Sequence, residues 1–381
     1  MKKNYLMTPG PTPVPPDVLL EMAKPIIHHR TPQYQAIFKK VNEGLKTVFK
    51  TTNDICVFTS SGTGAMEASV ANLLSPGDKA IVVQGGKFGE RFGELCKAYG
   101  IEFIPIDVEW GKAVDPSEVK KALDKNKGVS AVYTTLSETS TGTVNDIKSI
   151  GAIVKDYDAA LVVDAISGLG ADDLQTDAWG VDMALSGSQK GLMIPPGLAF
   201  TAVSKKAWKK AEVSKLSKYY FSLKKYKKAL EENDTPFTSA VSLFVGLQKS
   251  LEIILNEGLD NVLARHSKMA KAAREGVRAL GLAIYSSSPS NAVTPVNVPA
   301  GIDGELLVKT MRDKYGVTVA GGQSELKGRI FRIAHLGFME NFDCIVAMSA
   351  LEIVLTEMGY KLEPGRGVGA AEKIILEIPH R

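Results

Sequence analysis

From about residue 55 to residue 203, short apolar runs alternate with amphipathic stretches. The apolar runs predict strands at 55–59, 80–83, 102–106, 131–134, 160–163, 183–185 and 198–203, and the gaps predict helices at 64–74, 88–99, 115–125 and 145–156. Such alternation specifies an α/β fold, with a parallel or mostly parallel sheet between helices. Upstream, Val18, Leu19, Met22, Ile37, Val41, Leu45 and Val48 keep helical spacing, so 17–50 is expected to be helical. Ahead of it, residues 8–16 read TPGPTPVPP. Five prolines in nine positions fix φ and remove donors, which predicts an extended arm, either a surface linker or a strap across a partner or a site. Downstream, a long helix is predicted at 236–256, ending near Gly258, followed by an amphipathic one at 260–280. Shorter strands and helices then follow at 292–298, 304–315, 317–320, 329–334 and 341–358. The expected organisation is an extended arm (1–16), a large α/β domain (17–258) and a smaller α+β domain (259–381).

Composition narrows the class. With 44% hydrophobic and 23% charged residues, the 381-residue chain has enough apolar surface to offset chain entropy, so disorder is excluded as its main state. The 46 basic and 42 acidic residues nearly balance, which weakens a nucleic-acid-binding reading. Cys56, Cys96 and Cys344 are far apart with no CxxC pair, so neither a zinc nor a thioredoxin-type site is expected. Sparse cysteine suits a reducing, cytoplasmic compartment. No run of about 18 apolar residues predicts a membrane helix. Met1 to Tyr5 is followed by prolines rather than an apolar core, so no signal peptide is expected. The ending Ile378, Pro379, His380, Arg381 is not a peroxisomal tripeptide. His28 and His29 read as arm or interface residues rather than metal ligands, and no metal site is predicted.

In sheets of this kind, sites form at the carboxyl ends of the strands, and three segments there carry candidate chemistry. Ser60 to Ala68 (SSGTGAMEA) links a strand to a helix, a position whose free amides and dipole attract anions. The same serine and threonine also suit a plain helix cap by Ser61 or Thr63. The segment is neither a Walker A loop nor a GxGxxG fingerprint. Asp164 ends the strand Leu161, Val162, Val163, as a turn carboxylate or a functional acid. Lys190 lies among small residues in Ser186 to Gly191, as a surface lysine or as an amine whose pKa desolvation lowers. A phosphate cradle, a carboxylate and such a lysine at neighbouring strand ends are what pyridoxal phosphate requires. Further on, Arg332 alternates with Phe331 and Ile333, as an edge-strand arginine paired with an acid or as a fork for a substrate carboxylate.

Taken in order, the segments TPGPTPVPP, HHRTPQY (28–34), SSGTGAMEA (60–68), GGKFGER (85–91), SETSTG (137–142), VVDAISGLG (162–170), SGSQKGLMIPPG (186–197), TPFTSAVSL (235–243) and FRIAHLG (331–337) resemble the class V, fold type I pyridoxal-phosphate aminotransferases, in particular the alanine–glyoxylate and serine–pyruvate group. The resemblance runs nearly end to end. It implies Lys190 as the Schiff-base lysine and proton shuttle, and Asp164 as the partner of the pyridine nitrogen. Phe88 stands where many relatives stack Trp on the cofactor, Ile166 closes the other ring face, and Thr139 lies near the ring. Ser61, Gly62, Thr63 and Gln189 match phosphate contacts. Thr238, or Thr235 if the alignment shifts, matches one donated by a neighbouring subunit, since the family is dimeric. Arg332 matches the α-carboxylate clamp, although Ala334 replaces the glycine common in RIGHMG. The activity implied is ping-pong transfer of an amino group from alanine or serine to glyoxylate or pyruvate. Dicarboxylic substrates are less favoured, because no second arginine is evident.

Four alternatives stay open: a phosphonate-specific aminotransferase, a cysteine desulfurase, a non-catalytic subunit that keeps the fold, and a nucleic-acid module. A desulfurase needs a mobile cysteine, whereas Cys344 lies in a helical apolar pattern. The nucleic-acid reading rests only on residues 204–230, where ten lysines meet one acid, Glu212, a local net of +9 that leaves −5 for the rest of a +4 chain. That cluster reads as a solvated face, or as a positive field drawing in small carboxylates.

Overall fold

The computed structural model describes residues 3–377; the terminal residues 1, 2 and 378–381, including the C-terminal tetrapeptide, lie outside the described residues. A seven-stranded sheet forms the centre: β1 Asp54–Phe58, β2 Lys79–Gln84, β3 Glu102–Asp107, β4 Val129–Thr135, β5 Ala160–Asp164, β6 Met183–Gly187 and β7 Ala199–Val203. Their spatial order is β1-β7-β6-β5-β4-β2-β3. Only β7 runs against its neighbours, so the mostly parallel expectation holds. Alternation explains why the runs are continuously apolar. Ile55, Val57, Ile81, Val83, Leu161 and Val163 enter one core, while Cys56, Phe58, Ala80, Val82, Ala160 and Val162 enter another on the opposite face. Because β7 reverses between β1 and β6, the carboxyl ends of β1, β2, β4, β5 and β6 share one edge.

Residues 17–50 are not one helix. The chain forms Pro16–Met22 and Pro32–Val48, separated by a non-helical stretch that holds Pro25. Proline lacks the amide donor and disfavours helix in the residue before it. The second helix restarts on Thr31, whose hydroxyl accepts the Tyr34 amide. The long helices Val241–Glu257 and Leu259–Ala279 meet at Gly258, whose φ of 83° turns the chain.

A smaller sheet holds β8 Val293–Asn297, β9 Ala320–Gly321 and β10 Ile330–Ala334, with β10 in the middle and antiparallel to both. A third apolar cluster, drawn from residues 269–374 with Met7, packs around it. Arg332 is therefore on a central strand, which removes the edge-strand alternative. The amino-terminal arm is no free linker. Tyr5–Leu6 pairs in parallel with Val317–Thr318, and the Ala334 amide donates to the Met7 carbonyl. From there the arm crosses to the edge of the large sheet. The Thr12 amide donates to the Gln189 carbonyl at 3.1 Å, and the Thr12 hydroxyl to the Lys190 carbonyl at 3.0 Å.

Candidate active site

Lys190 follows β6, and Asp164 ends the adjacent β5. Burial destabilises the Lys190 ammonium, and Arg332 and Arg91 repel it. Asp164 opposes both effects, and the pKa settles lowered to about 8. Its Nζ donates to the Pro9 carbonyl at 2.5 Å, so the arm forms the wall facing the amine. Gly10 has φ +141°, and a Cβ there would lie 2.3 Å from Nζ. Asp164 is buried, accepts the Ile166 amide at 2.8 Å, and is pushed up to about 7, chiefly by desolvation and then by Glu138.

After β1, the helix Gly62–Leu73 begins with Ser61 at its cap position, yet no side chain caps it. The plain-cap reading of Ser61 therefore does not hold, and the first amides stay available to an anion. Gly62 is required by closeness: a Cβ would lie 2.6 Å from Ile166 Cδ1. After β2, the helix Lys87–Ala98 carries Phe88 and, one turn on, Arg91, whose guanidinium carbon lies 4.8 Å from the Phe88 ring centre. Arg91 also donates to the Thr63 hydroxyl at 3.3 Å.

The loop after β4 supplies the third wall. The Thr139 hydroxyl pairs with Ser167 at 2.5 Å. Its carbonyl accepts from Arg332 Nη1 at 2.9 Å, while Nε and Nη2 both donate to the Gly321 carbonyl. Arg332 is only 5% exposed and has no carboxylate in ion-pair range among the described residues. Burial lowers it to about 10, and Glu138 works against that shift. Glu138, 1% exposed, accepts the Phe88, Gly89 and Ser140 amides and the Ser140 hydroxyl. Desolvation raises its pKa. Glu138, Arg91, Pro9 and Gly10 were not singled out from sequence. The acid inside the Ser/Thr run SETSTG, and the arginine three residues after Phe88, were the available signals; a backbone carbonyl carries none.

The structure thus brings together Lys190, Asp164, Thr139, Arg332, Thr63, Gly62, Ile166, Gln189 and Phe88. Thr235 and Thr238 stand apart. The Thr235 hydroxyl donates to the Phe237 carbonyl and its own carbonyl accepts from Arg30, whereas Thr238 is exposed and bonds to no member of the group. Cys344 is buried in the helix Asn341–Glu357, its thiol pushed up to about 12 by desolvation. Of the lysine cluster, Lys206, Lys210 and Lys227 pair with Asp182, Asp158 and Glu212, and Lys225 lies 3.2 Å from the centre of the Tyr219 ring. No described helix is long and apolar enough to cross a membrane.

These residues fit pyridoxal phosphate. The Gly62 amide end is uncapped, Gly62 leaves room where a Cβ would meet Ile166, and a desolvated amine lies within electrostatic reach of a buried carboxylate. Comparison with known proteins agrees. The family model for aminotransferase class-V matches residues 4–334. A soluble hydrogenase small subunit from a Synechococcus strain is 45% identical, over 98% of both chains. A serine–glyoxylate aminotransferase from Methylorubrum extorquens is 35% identical, over 99% of this chain and 97% of the other. A ureidoglycine–glyoxylate aminotransferase from Bacillus subtilis superposes with a TM-score of 0.94 at 28% identity, covering 98% of both chains. The fold, the strand-end site and these matches together place the chain in the class-V aminotransferase family of pyridoxal-phosphate-dependent transaminases.

Proposed function

We propose that this transaminase moves the amino group of alanine or serine to glyoxylate or pyruvate by a ping-pong route. The observation that carries the reading is Arg332, a buried guanidinium held by two carbonyls and facing no protein carboxylate. It offers a fork to the one group that every amino acid and 2-oxo acid shares. Glyoxylate recurs in the names of two of the similar proteins while their donors differ, which supports a small acceptor more strongly than any one donor.

Pyridoxal phosphate, when bound, supplies the electron-withdrawing ring that makes the Cα proton of an amino acid acidic. The chain's residues do the rest. Lys190 would hold the aldehyde and, as a free amine, would move the proton between Cα and the C4′ carbon. A pKa of about 8 suits both duties near neutral pH. Asp164 would hold the pyridine nitrogen protonated, and a cation against it would favour the ionised carboxylate. Phe88 and Ile166 would hold the ring from either face, with Thr139 beside it, and Ser61, Gly62, Thr63 and Gln189 would hold the phosphate. The arm at Pro9 and Gly10 excludes water from the Lys190 side.

The same proposal covers assembly. The chain acts as a cytoplasmic homodimer whose exposed Thr238 reaches the phosphate of the partner's site, which its free position on the 231–240 loop supports. The separate apolar cluster of residues 269–374 supports a boundary near 258 between the large and small domains, with 1–16 as the arm.

The test is direct. Purified protein is expected to be yellow, and borohydride is expected to fix the cofactor on Lys190. A panel of donors, aspartate included, against glyoxylate, pyruvate and 2-oxoglutarate then reads the pair. A colourless protein whose Lys190→Ala variant behaves like wild type would sink the enzyme reading and favour a non-catalytic subunit that keeps the fold; a similar chain is named as a subunit of a soluble hydrogenase.

A further inference from the structure

Every group so far given to the phosphate is neutral: the Gly62 and Thr63 amides, the hydroxyls of Ser61, Thr63 and Thr238, and the Gln189 amide. A phosphate monoester carries about −1.5 to −2 charges at pH 7. Taking that charge into a half-buried site against neutral donors alone costs far more than placing a cation beside it. Arg91 is in the right place. Its Nη1 donates to the Thr63 hydroxyl at 3.3 Å, on the first turn of the uncapped helix Gly62–Leu73. Its guanidinium also lies against the Phe88 ring at 4.8 Å. That contact fixes the direction of an otherwise flexible side chain and lowers its hydration. Among the described residues Arg91 hydrogen-bonds to Thr63 alone and pairs with no carboxylate.

We propose that Arg91 is the cationic half of the phosphate site, neutralising the cofactor phosphate that the Gly62–Thr63 turn holds. The proposal rests on the pyridoxal-phosphate reading above and adds to it a residue that the motif resemblance left unassigned. Two further observations fit. The charge of Arg91 already reaches the reacting groups, since it adds to the lowering of Lys190 and works against the net rise of Asp164. A bound phosphate beside Arg91 would offset that influence, so loading the cofactor also resets the field at the lysine. Phe88 then has two partners, the cofactor and the arginine that holds the cofactor's phosphate.

Pyridoxal, which lacks the phosphate, separates this role from any other. Affinities of cofactor-depleted protein for pyridoxal phosphate and for pyridoxal are measured by absorbance titration, for wild type, Arg91→Gln and Arg91→Lys. Loss of one charge-assisted contact weakens pyridoxal phosphate by about 10- to 100-fold in Arg91→Gln. Pyridoxal affinity is expected to change far less, and Arg91→Lys to recover part of the loss. Equal losses for both ligands would overturn the proposal, since Arg91 would then act only by supporting the Phe88 ring or the local fold. Unchanged pyridoxal phosphate affinity overturns it as well. If that result came with a raised KM for dicarboxylic donors alone, Arg91 would be a side-chain carboxylate clamp instead. Wild-type protein that binds neither ligand overturns the cofactor reading itself, an outcome distinct from both.

Discussion

The lowered pKa of Lys190 has a measurable consequence for how the chain captures its cofactor. Only the neutral amine attacks an aldehyde. With a pKa of about 8, one amine in roughly eleven is neutral at pH 7 (10^(8−7) = 10 charged per neutral). An ordinary lysine at 10.5 offers about one in 3,000 (10^(10.5−7)), so Lys190 should outpace it by roughly 300-fold. The sign follows from the causes. The folded protein favours the neutral amine, so the advantage is full below pH 8 and disappears as pH rises through 8 toward 10.5, where a free lysine deprotonates too. The assay is covalent uptake of pyridoxal phosphate by cofactor-depleted protein, trapped with borohydride, located on the Lys190 peptide, and divided by the rate for a free lysine analogue. The division removes titration of the aldehyde and its phosphate. The ratio should hold steady up to pH 8, then fall about tenfold per pH unit to pH 10. Asp164→Asn removes the acid that raises the amine and should move the break downward. Arg332→Gln removes a cation that lowers it and should move the break upward. A ratio that stays flat through pH 10 would refute the reasoning, because Lys190 would then be an ordinary amine.

Three further changes probe the same cluster. Gly10→Ala puts a methyl 2.3 Å from Nζ, which displaces the flexible lysine tip, and its φ of +141° strains any residue with a side chain. Turnover should drop by about 100-fold and Tm should fall modestly, as about 1–3 kcal/mol of backbone strain requires, and wild-type turnover in this variant would remove the arm from the site. Arg332→Gln should lower kcat/KM for donor and acceptor alike by about 10- to 100-fold, the worth of a charge-assisted contact, with steady-state kinetics as the check and an unchanged kcat/KM for glyoxylate as the contrary result. Glu138→Leu leaves three amides and a hydroxyl without their buried acceptor, and should cost at least about 3 kcal/mol in denaturant unfolding, with Glu138→Gln costing less.

Sequence made the large sheet legible because its inner strands are buried on both faces, so each is a continuous apolar run bounded by polar turns, while the edge strand β3 is partly exposed. Lys190 and Asp164 each also read as a surface lysine or a turn carboxylate, and it was their combination with the Ser61–Thr63 turn at neighbouring strand ends that pointed to a cofactor. Arg332 was legible for a different reason: strand periodicity set it opposite Phe331 and Ile333, although only the pairing with β8 and β9 shows the strand to be central. The helix expected over 17–50 failed because periodicity ignores Pro25 and Pro32, whose backbone limits override side-chain pattern. Proline content likewise made the arm extended without saying where it goes.

Most of the parts that stayed hidden share one physical character. Pro9 contributes a carbonyl, Gly10 an absence of side chain, and Gly321 and Thr139 the carbonyls that aim Arg332. These act through backbone, whose chemistry is the same at every position, so residue type does not flag them; Glu138 is the exception, because its carboxylate accepts other residues' amides. The consequence is a division of labour within the site. Side chains at the large sheet's edge define the chemistry, while backbone from the arm and from the small sheet sets the access and direction of Lys190 and Arg332. Because those contacts come from the chain's first residues and from its last third, the amine and the guanidinium keep their geometry only while the arm, the large sheet and the small sheet stay docked. Changes that loosen the docking should therefore impair turnover before they unfold the large sheet, whose two apolar cores contain no residue of the arm before Val14.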